Sequence, residues 1–133
     1  MLDTESLLGI LSDKGILEIF NSIANNTNVR SRTLRVKYGF TMKQYYSRIQ
    51  KLLAYGLVKR KLGVYTLSTF GTVVYQNTLR MDAAIKEYDN LKAIDTIKAS
   101  NELSENIRQK IINDIVTDND IKSTLLAFPE SNG

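Results

Sequence analysis

Residues 41–71 read TMKQYYSRIQKLLAYGLVKRKLGVYTLSTFG, and the succession of patterns in this stretch decides the fold. A threonine precedes a run with helical periodicity, Gly56 follows the end of that run, and a short β-hairpin pattern with Gly63 at its turn comes next. Ser68 or Thr69 can then cap another helix. The stretch therefore predicts a helix, a hairpin and a second helix in direct succession.

The first helix of this stretch is amphipathic, with Thr41 as its expected N-cap. Its predicted buried face consists of Met42, Tyr45, Ile49, Leu52 and Leu53. Its opposite face consists of Lys43, Gln44, Ser47, Arg48 and Lys51. Because the second set is wholly polar or cationic, we expect it to face solvent or a charged partner.

The flanking sequence extends this pattern in both directions. Upstream, we expect a short helical lead-in, a helix over 13–25 and a second helix over 28–38 that Gly39 ends in left-handed geometry. Downstream, helical sequence runs from Ser68 to about Lys98 and predicts one helix of ~30 residues, ~45 Å long. Ser104 and Asp118 are the expected N-caps of two further helices. The predicted fold class is mainly α with a small β-hairpin.

The charge of the chain is concentrated in one window. Between Ile19 and Met81 there is no Asp or Glu, although the protein has fourteen acids. The eleven bases of this window are Arg30, Arg32, Arg35, Lys37, Lys43, Arg48, Lys51, Lys59, Arg60, Lys61 and Arg80. Like charges concentrated in this way suggest a polyanionic partner, and duplex DNA carries a phosphate charge every ~1.7 Å. The alternative is an accident of composition in a basic protein.

Composition excludes several classes of function. The chain has no Cys and no His, which removes disulfides, thiol nucleophiles, zinc fingers and imidazole catalysis. Scattered carboxylates at Asp114, Asp118 and Asp120 lack the glycine and terminal glutamate of a calcium loop. We expect no enzymatic activity, no cofactor and no metal site. The N-terminal stretch has acids where a signal peptide needs bases, and no segment approaches the ~18 apolar residues of a membrane span. We therefore expect a cytoplasmic protein without membrane association.

The phrase in residues 41–71 resembles the recognition helix and wing of archaeal and bacterial winged helix-turn-helix transcription regulators. In that family a helix ends in L, two or three residues and GLV, and a hairpin followed by Y-x-L-T/S-x-x-G comes next. The layout is similar to the ArsR, MarR and PadR groups, covers about residues 13–98 and does not resolve a subfamily. The chain lacks every Cys and His of the metal-sensing ArsR-type proteins. The resemblance implies a DNA-binding domain over 1–67 and a dimerisation region over 68–133.

The resemblance assigns a role to each basic cluster. Lys43, Gln44, Ser47 and Arg48 are the candidates for reading base edges in the major groove, with Thr41 and Tyr46 beside them. Lys51 is expected on phosphate. Arg30, Arg32, Arg35 and Lys37 belong to the preceding helix, which crosses the DNA backbone. Lys59, Arg60 and Lys61 would enter the minor groove or contact its phosphates. The alternatives are an ordinary solvated helix face and lysines that protect an exposed strand edge.

An apolar stripe on the long helix has two readings. The stripe consists of Met81, Ala84, Ile85, Tyr88, Leu91 and Ile94. It either folds back on its own domain or pairs with its copy in a homodimer, which would place two recognition helices ~34 Å apart on a palindromic site. Ile107 to Val116 would then pack on the dimer helices or line a pocket for a small effector.

Two functions follow from these patterns. The first is a sequence-specific, double-stranded DNA-binding transcription regulator that acts as a homodimer. The alternative is a winged-helix module for protein interaction in a transcription or replication assembly, which has no need of a long acid-free run.

Overall fold

The computed structural model of the chain describes residues 2–26, 29–100 and 104–128. Within these ranges the chain is mainly helical with a small antiparallel sheet, which confirms the coarse fold class. It divides into two compact units, unit 1 over residues 1–76 and unit 2 over residues 77–133. The sequence had placed this boundary after residue 67.

Unit 1 begins with four helices whose ends follow local signals. They are α1 (Thr4–Leu11), α2 (Lys14–Asn25), α3 (Ser31–Tyr38) and α4 (Met42–Ala54). The carboxylate of Asp13 caps α2 by accepting the Ile16 N–H at 3.0 Å. Gly39 ends α3 with a φ of 65°, a left-handed conformation that favours glycine.

The sheet of unit 1 has three antiparallel strands in the order β1-β3-β2. They are β1 (Val29–Arg30), β2 (Val58–Lys61) and β3 (Val64–Leu67). The hairpin of β2 and β3 turns at Leu62 and Gly63, as predicted. The helix predicted over 28–38 was too long at its start, because Val29 and Arg30 pair with β3. That pairing joins residues far apart in the sequence, so no local pattern announces it. Position 28 lies outside the described residues.

The core of unit 1 lies beneath α4. Tyr45, Ile49 and Leu52 are buried there against side chains of α2, α3 and the sheet. Met42 was expected on this buried face but is 52% exposed. As the first residue of α4, it lies at the end of the helix, outside the core cluster.

The start of α5 (Thr69–Lys86) is held against the residues that lead into the hairpin. The Ser68 hydroxyl accepts the Gly71 N–H at 2.8 Å and lies against the carbonyl oxygens of Gly56 and Leu57. A Cβ on Gly71 would lie 1.9 Å from the Leu57 carbonyl oxygen. Only glycine therefore allows this close approach.

Unit 2 corrects the prediction of one long helix to about Lys98. Instead α5 ends at Lys86 and α6 (Tyr88–Ser100) begins two residues later, followed by α7 (Glu105–Ile115) and α8 (Asn119–Ala127). Glu87 separates α5 from α6, and its buried carboxylate accepts the N–H groups of Thr117 at 2.9 Å and Asp118 at 3.0 Å. The interruption thus coincides with a contact 30 residues away, which helical periodicity does not reveal.

The core of unit 2 is small. Ile94, Ile112 and Val116 are its buried apolar residues, among the part of the chain that the structure describes. The side chain of Arg108 is also buried, and its guanidinium donates to the carbonyl oxygens of Leu125 at 2.9 Å and Phe128 at 3.4 Å. These bonds satisfy acceptors at the C-terminal end of α8.

Two structural features are absent from the described ranges. No helix there has the length and apolarity needed to cross a bilayer. No cluster of three or more acidic side chains is placed there to hold a metal ion.

Candidate nucleic-acid interface

The two units carry opposite net charges. Unit 1 has eleven bases and four acids, a formal charge of +7, and unit 2 has seven bases and ten acids, a formal charge of −3. The acid-free window lies almost entirely in unit 1, and only residues 77–81 fall outside it. A polyanion would therefore be attracted to unit 1.

The exposed side of α4 is what we call its open face. It consists of Met42, Lys43, Tyr46, Ser47 and Gln50, all exposed. Their helical positions form one continuous arc, which adjoins the buried face of Tyr45, Ile49 and Leu52 at Met42 and turns away from it toward Ser47. Among the described residues, no hydrogen bond or ion pair occupies the side chains of Lys43, Ser47 or Gln50. The open face is thus free to contact a partner.

Gln44 and Thr41 already form hydrogen bonds with each other. The Gln44 side-chain oxygen accepts the Thr41 N–H at 3.0 Å, and the Thr41 hydroxyl accepts the Gln44 N–H at 3.1 Å. This reciprocal pair is a capping box. A Gln44 amide that turned to a base would release this cap. The sequence contains the signal for it, because Thr-x-x-Gln before an apolar run is the capping-box pattern.

The structure does not bring Arg48 onto the open face. Its Nε lies 3.6 Å from an Asp13 carboxylate oxygen, and its guanidinium lies 4.7 Å from the centroid of the Phe40 ring. A Cβ on Gly15 would lie 2.2 Å from this Nε, so glycine makes room for the arginine. The pKa of Asp13 is lowered, first by the Ile16 N–H bond and further by the charge of Arg48. Arg48 therefore joins α4 to the start of α2.

The open face is oriented from the core by a network of three hydroxyl groups. The Tyr45 hydroxyl donates to Ser31 Oγ at 3.0 Å, and the Ser31 hydroxyl donates to the Tyr65 hydroxyl oxygen at 3.2 Å. Burial raises the pKa of Tyr45, so its hydroxyl stays protonated and keeps its donor. The Tyr46 ring packs edge-on against the Tyr45 ring, with centroids 5.7 Å apart. Tyr46 is 50% exposed, and its ring is supported from within by Tyr45.

The bases of β2 separate to opposite faces of the sheet. Arg60 shares a face with its cross-strand partner Tyr65 and lies 5.7 Å from that ring. Lys59 and Lys61 project from the other face, which we call the outer face of the sheet. Arg30 pairs with Val64, which also pairs with Lys61, so Arg30 shares the outer face. The sequence had missed this neighbour. Because β2 is an edge strand, its lysines also fit the alternative interpretation, in which they block pairing with another strand.

The bases of α3 differ in their exposure and in the contacts that they already make within the chain. Arg32 and Lys37 are exposed and Arg35 is half-buried. The Lys37 ammonium donates to Ser22 Oγ at 3.2 Å and lies 5.2 Å from the Tyr38 ring centroid. Lys51 of α4 is exposed. Arg32 and Lys51 therefore present their charge to solvent more fully than Lys37 does.

The predicted dimer stripe separates into two groups. Met81, Ile85 and Tyr88 are 51%, 70% and 60% exposed. Leu91 and Ile94 pack into the core of unit 2, and Ala84 is half-buried. Of the six residues, only the first group forms an exposed apolar surface. A cavity of about 230 Å³ in unit 2 is lined by Leu91, Ile94, Ile112 and Leu125, with Arg108 at its wall.

Comparison with known proteins adds no relative. No protein-family model matches the chain, and neither a curated protein nor a solved structure matches it. What the molecule does must therefore be inferred from the charge and geometry described above.

Proposed function

We propose that the protein is a cytoplasmic, sequence-specific transcription regulator that binds double-stranded DNA as a homodimer through a winged helix-turn-helix in unit 1. The observation that carries the proposal is a unit of charge +7 whose helix α4 presents uncommitted polar side chains on one face. The order α2, α3, α4, hairpin and α5 supports the winged-helix assignment. In this proposal the hairpin is the wing and α4 is the recognition helix.

Base reading falls to the open face of α4. A major groove ~12 Å wide admits one helix, and side chains on the outward face of that helix reach base edges. Lys43 can donate to guanine O6 and N7, and Gln50 can pair with adenine N6 and N7. Met42 and Tyr46 offer apolar surface of the kind that contacts thymine methyl groups. Gln50 thus takes the role in base recognition that was predicted for Gln44.

Phosphate contacts fall to bases that carry no sequence information. Arg30, Lys59 and Lys61 share the outer face of the sheet, and Lys51 follows the open face along α4. Arg32 at the start of α3 adds a further exposed charge. Such contacts fix the register of a protein on its duplex and supply affinity that falls with salt.

Dimerisation falls to the exposed group of the stripe in unit 2. Met81, Ile85 and Tyr88 form an apolar surface that water contacts in the isolated chain. Pairing this surface with its copy about a two-fold axis would remove both copies of the surface from water. Leu91 and Ile94 take no part, because they belong to the core of unit 2. The proposal includes no enzymatic activity and leaves a small effector open.

A second candidate is a winged-helix module that docks a protein. Val36, Met42 and Tyr46 are 66%, 52% and 50% exposed, and exposed apolar side chains are common at protein interfaces. This candidate leaves the acid-free window unexplained, so we prefer the DNA-binding function.

The test is selection of binding sites from a random duplex library, followed by affinity measurements over a range of salt. With about six to eight phosphates neutralised per subunit, log K should fall against log salt with a slope near −0.9 for each phosphate. Gln50→Ala should narrow the affinity difference between the selected and a random duplex, whereas Lys61→Ala should weaken both equally. Lys110→Ala, which removes a base from unit 2, is the control. Binding that ignores salt would contradict the DNA-binding function and favour the protein-docking one.

A further inference from the structure

The tip of the hairpin contains a residue that its backbone conformation disfavours. Leu62 has a φ of 53° and Gly63 a φ of 76°, so both central residues of the turn are left-handed. This turn type favours Asn or Gly at its first central position, because a larger side chain crowds the backbone at positive φ. The chain therefore carries a conformational cost at Leu62.

Packing within the chain does not explain this leucine. Its side chain is 89% exposed, the highest value among the large apolar residues of the described ranges. It belongs to neither hydrophobic core cluster. A residue that costs conformational energy and packs into no core cluster of its own chain is a candidate for contact with a partner.

The surroundings of Leu62 indicate which partner it fits. Lys61 precedes it, Lys59 lies on the same face as Lys61, and Arg30 reaches within 3.4 Å of where a Cβ on Gly63 would stand. The tip is thus an apolar side chain surrounded by cations. The minor groove of DNA is the matching surface, since phosphates line its edges and its sugars and base steps accept apolar wedges such as leucine.

We propose that Leu62 contacts DNA as an apolar wedge that the hairpin inserts into the minor groove. This proposal rests on the proposed function, because it requires unit 1 to bind duplex DNA. Lys59, Lys61 and Arg30 hold the flanking phosphates, and Leu62 presses between base pairs and loosens their stacking. The conformational cost at the tip is retained because the exposed leucine is needed there.

The experiment compares Leu62→Asn with Leu62→Met in the full-length protein. Asn adopts the left-handed conformation more readily, so Leu62→Asn should raise the thermal midpoint by about 4 °C. The same variant should lose about tenfold in affinity for the selected duplex, the loss expected when one leucine side chain is no longer removed from water. Leu62→Met keeps an apolar tip and should retain affinity within about twofold of the wild type. A residue with only a structural role would not move stability and affinity in opposite directions.

A base-stacking readout locates the contact. In a selected duplex with 2-aminopurine placed at the base step under the hairpin, the wild type should raise the fluorescence by unstacking that base. Leu62→Asn should leave the fluorescence at its free-duplex value.

The outcomes separate this proposal from the proposed function. If the wild type fails to bind duplex, both are overturned, and binding to anionic vesicles in its place would assign the tip to a membrane surface. If the wild type binds duplex and Leu62→Asn binds equally well, only the role of Leu62 is overturned. A lowered thermal midpoint for Leu62→Asn would also overturn it, because the leucine would then be explained by stability.

Discussion

Unit 1 and unit 2 differ in how many apolar side chains each buries in its own core. Among the described residues, fourteen apolar side chains are buried in the core cluster of unit 1, against three in that of unit 2. Unit 1 also carries the positive charge, whereas unit 2 is net negative. A unit that closes its own core can leave its surface to a charged partner. A unit with so small a core gains most from burying its exposed stripe against a second copy.

The largest effect on stability is expected in unit 1, at the close approach of Gly71 to Leu57. In Gly71→Ala the added Cβ meets the Leu57 carbonyl oxygen at 1.9 Å, and a backbone atom cannot move aside cheaply. We expect a loss of about 3 kcal/mol in the free energy of unfolding, measured by urea denaturation. Gly9→Ala is the matched control, because a Cβ there meets nothing within 4 Å and alanine favours the interior of α1 by about 0.5–1 kcal/mol. Equal stability of the two variants would mean that unit 1 is loosely packed around Gly71.

The next test concerns the dimer contact proposed for unit 2. Ile85→Glu places a charge on the 70% exposed centre of the stripe, and a two-fold interface meets that charge twice. We expect a folded monomer whose affinity for a full site falls roughly a hundredfold through lost bivalency, with half-site binding retained. Sedimentation at micromolar concentration checks the state of the protein, and Ile107→Glu, also exposed in unit 2, is the control. A wild type that sediments as a 15.1 kDa monomer would remove the dimer from the proposal.

Glu87 makes the stability of unit 2 depend on pH in the acid range. Hydrogen bonds from Thr117, and then from Asn90, lower the pKa of Glu87 from 4.5 to about 2. Because the folded value lies below the unfolded one, this carboxylate contributes stability that is complete above pH 4.5 and is lost as the pH falls through about 2. Unit 2 should therefore lose stability over that interval, as followed by amide signals of α8. Glu87→Gln should lower the stability of unit 2 at neutral pH and remove this part of its acid sensitivity. Asp114→Asn, at an exposed acid of α7, should leave that part of the sensitivity in place.

The smallest expected effect sharpens the role of the open face in unit 1. Replacing thymine by uracil in a selected site removes only a methyl group, and each methyl that Met42 or Tyr46 contacts should cost about fourfold in affinity. Met42→Ser should discriminate less than the wild type between the two duplexes. Leu8→Ser, which changes an equally exposed residue of α1, should still discriminate between them. A wild type indifferent to uracil would leave Met42 and Tyr46 without a part in base reading, while DNA binding itself could stand.

What the sequence predicts well in this protein is local. The caps at Thr41, Ser104 and Asp118 depend on side chains within three residues, and they lie where expected. The hairpin turn likewise follows from its own residues. These elements were predictable because each stabilising contact lies inside the pattern that predicts it.

What the local sequence patterns did not indicate is mostly contact between distant residues. Arg48 has the helical position of a polar-face residue, but Asp13, Gly15 and Phe40 together hold it, and no pattern within α4 indicates them. Glu87 sits in sequence that favours an unbroken helix, and the groups it binds belong to Thr117 and Asp118. Gln44 is the exception, because its capping box was legible in four consecutive residues.

The hydroxyl network of Ser31, Tyr45 and Tyr65 has a consequence for how unit 1 opens. It links the start of α3, the middle of α4 and the strand β3, across sequence separations of 14 and 34 residues. Ser31 keeps both of its partners only while all three elements are in place, and opening α3 breaks both hydrogen bonds. The amide hydrogens of α3, α4 and β3 should accordingly exchange with solvent as one cooperative unit, with a common free energy of opening, while those of α1 exchange sooner.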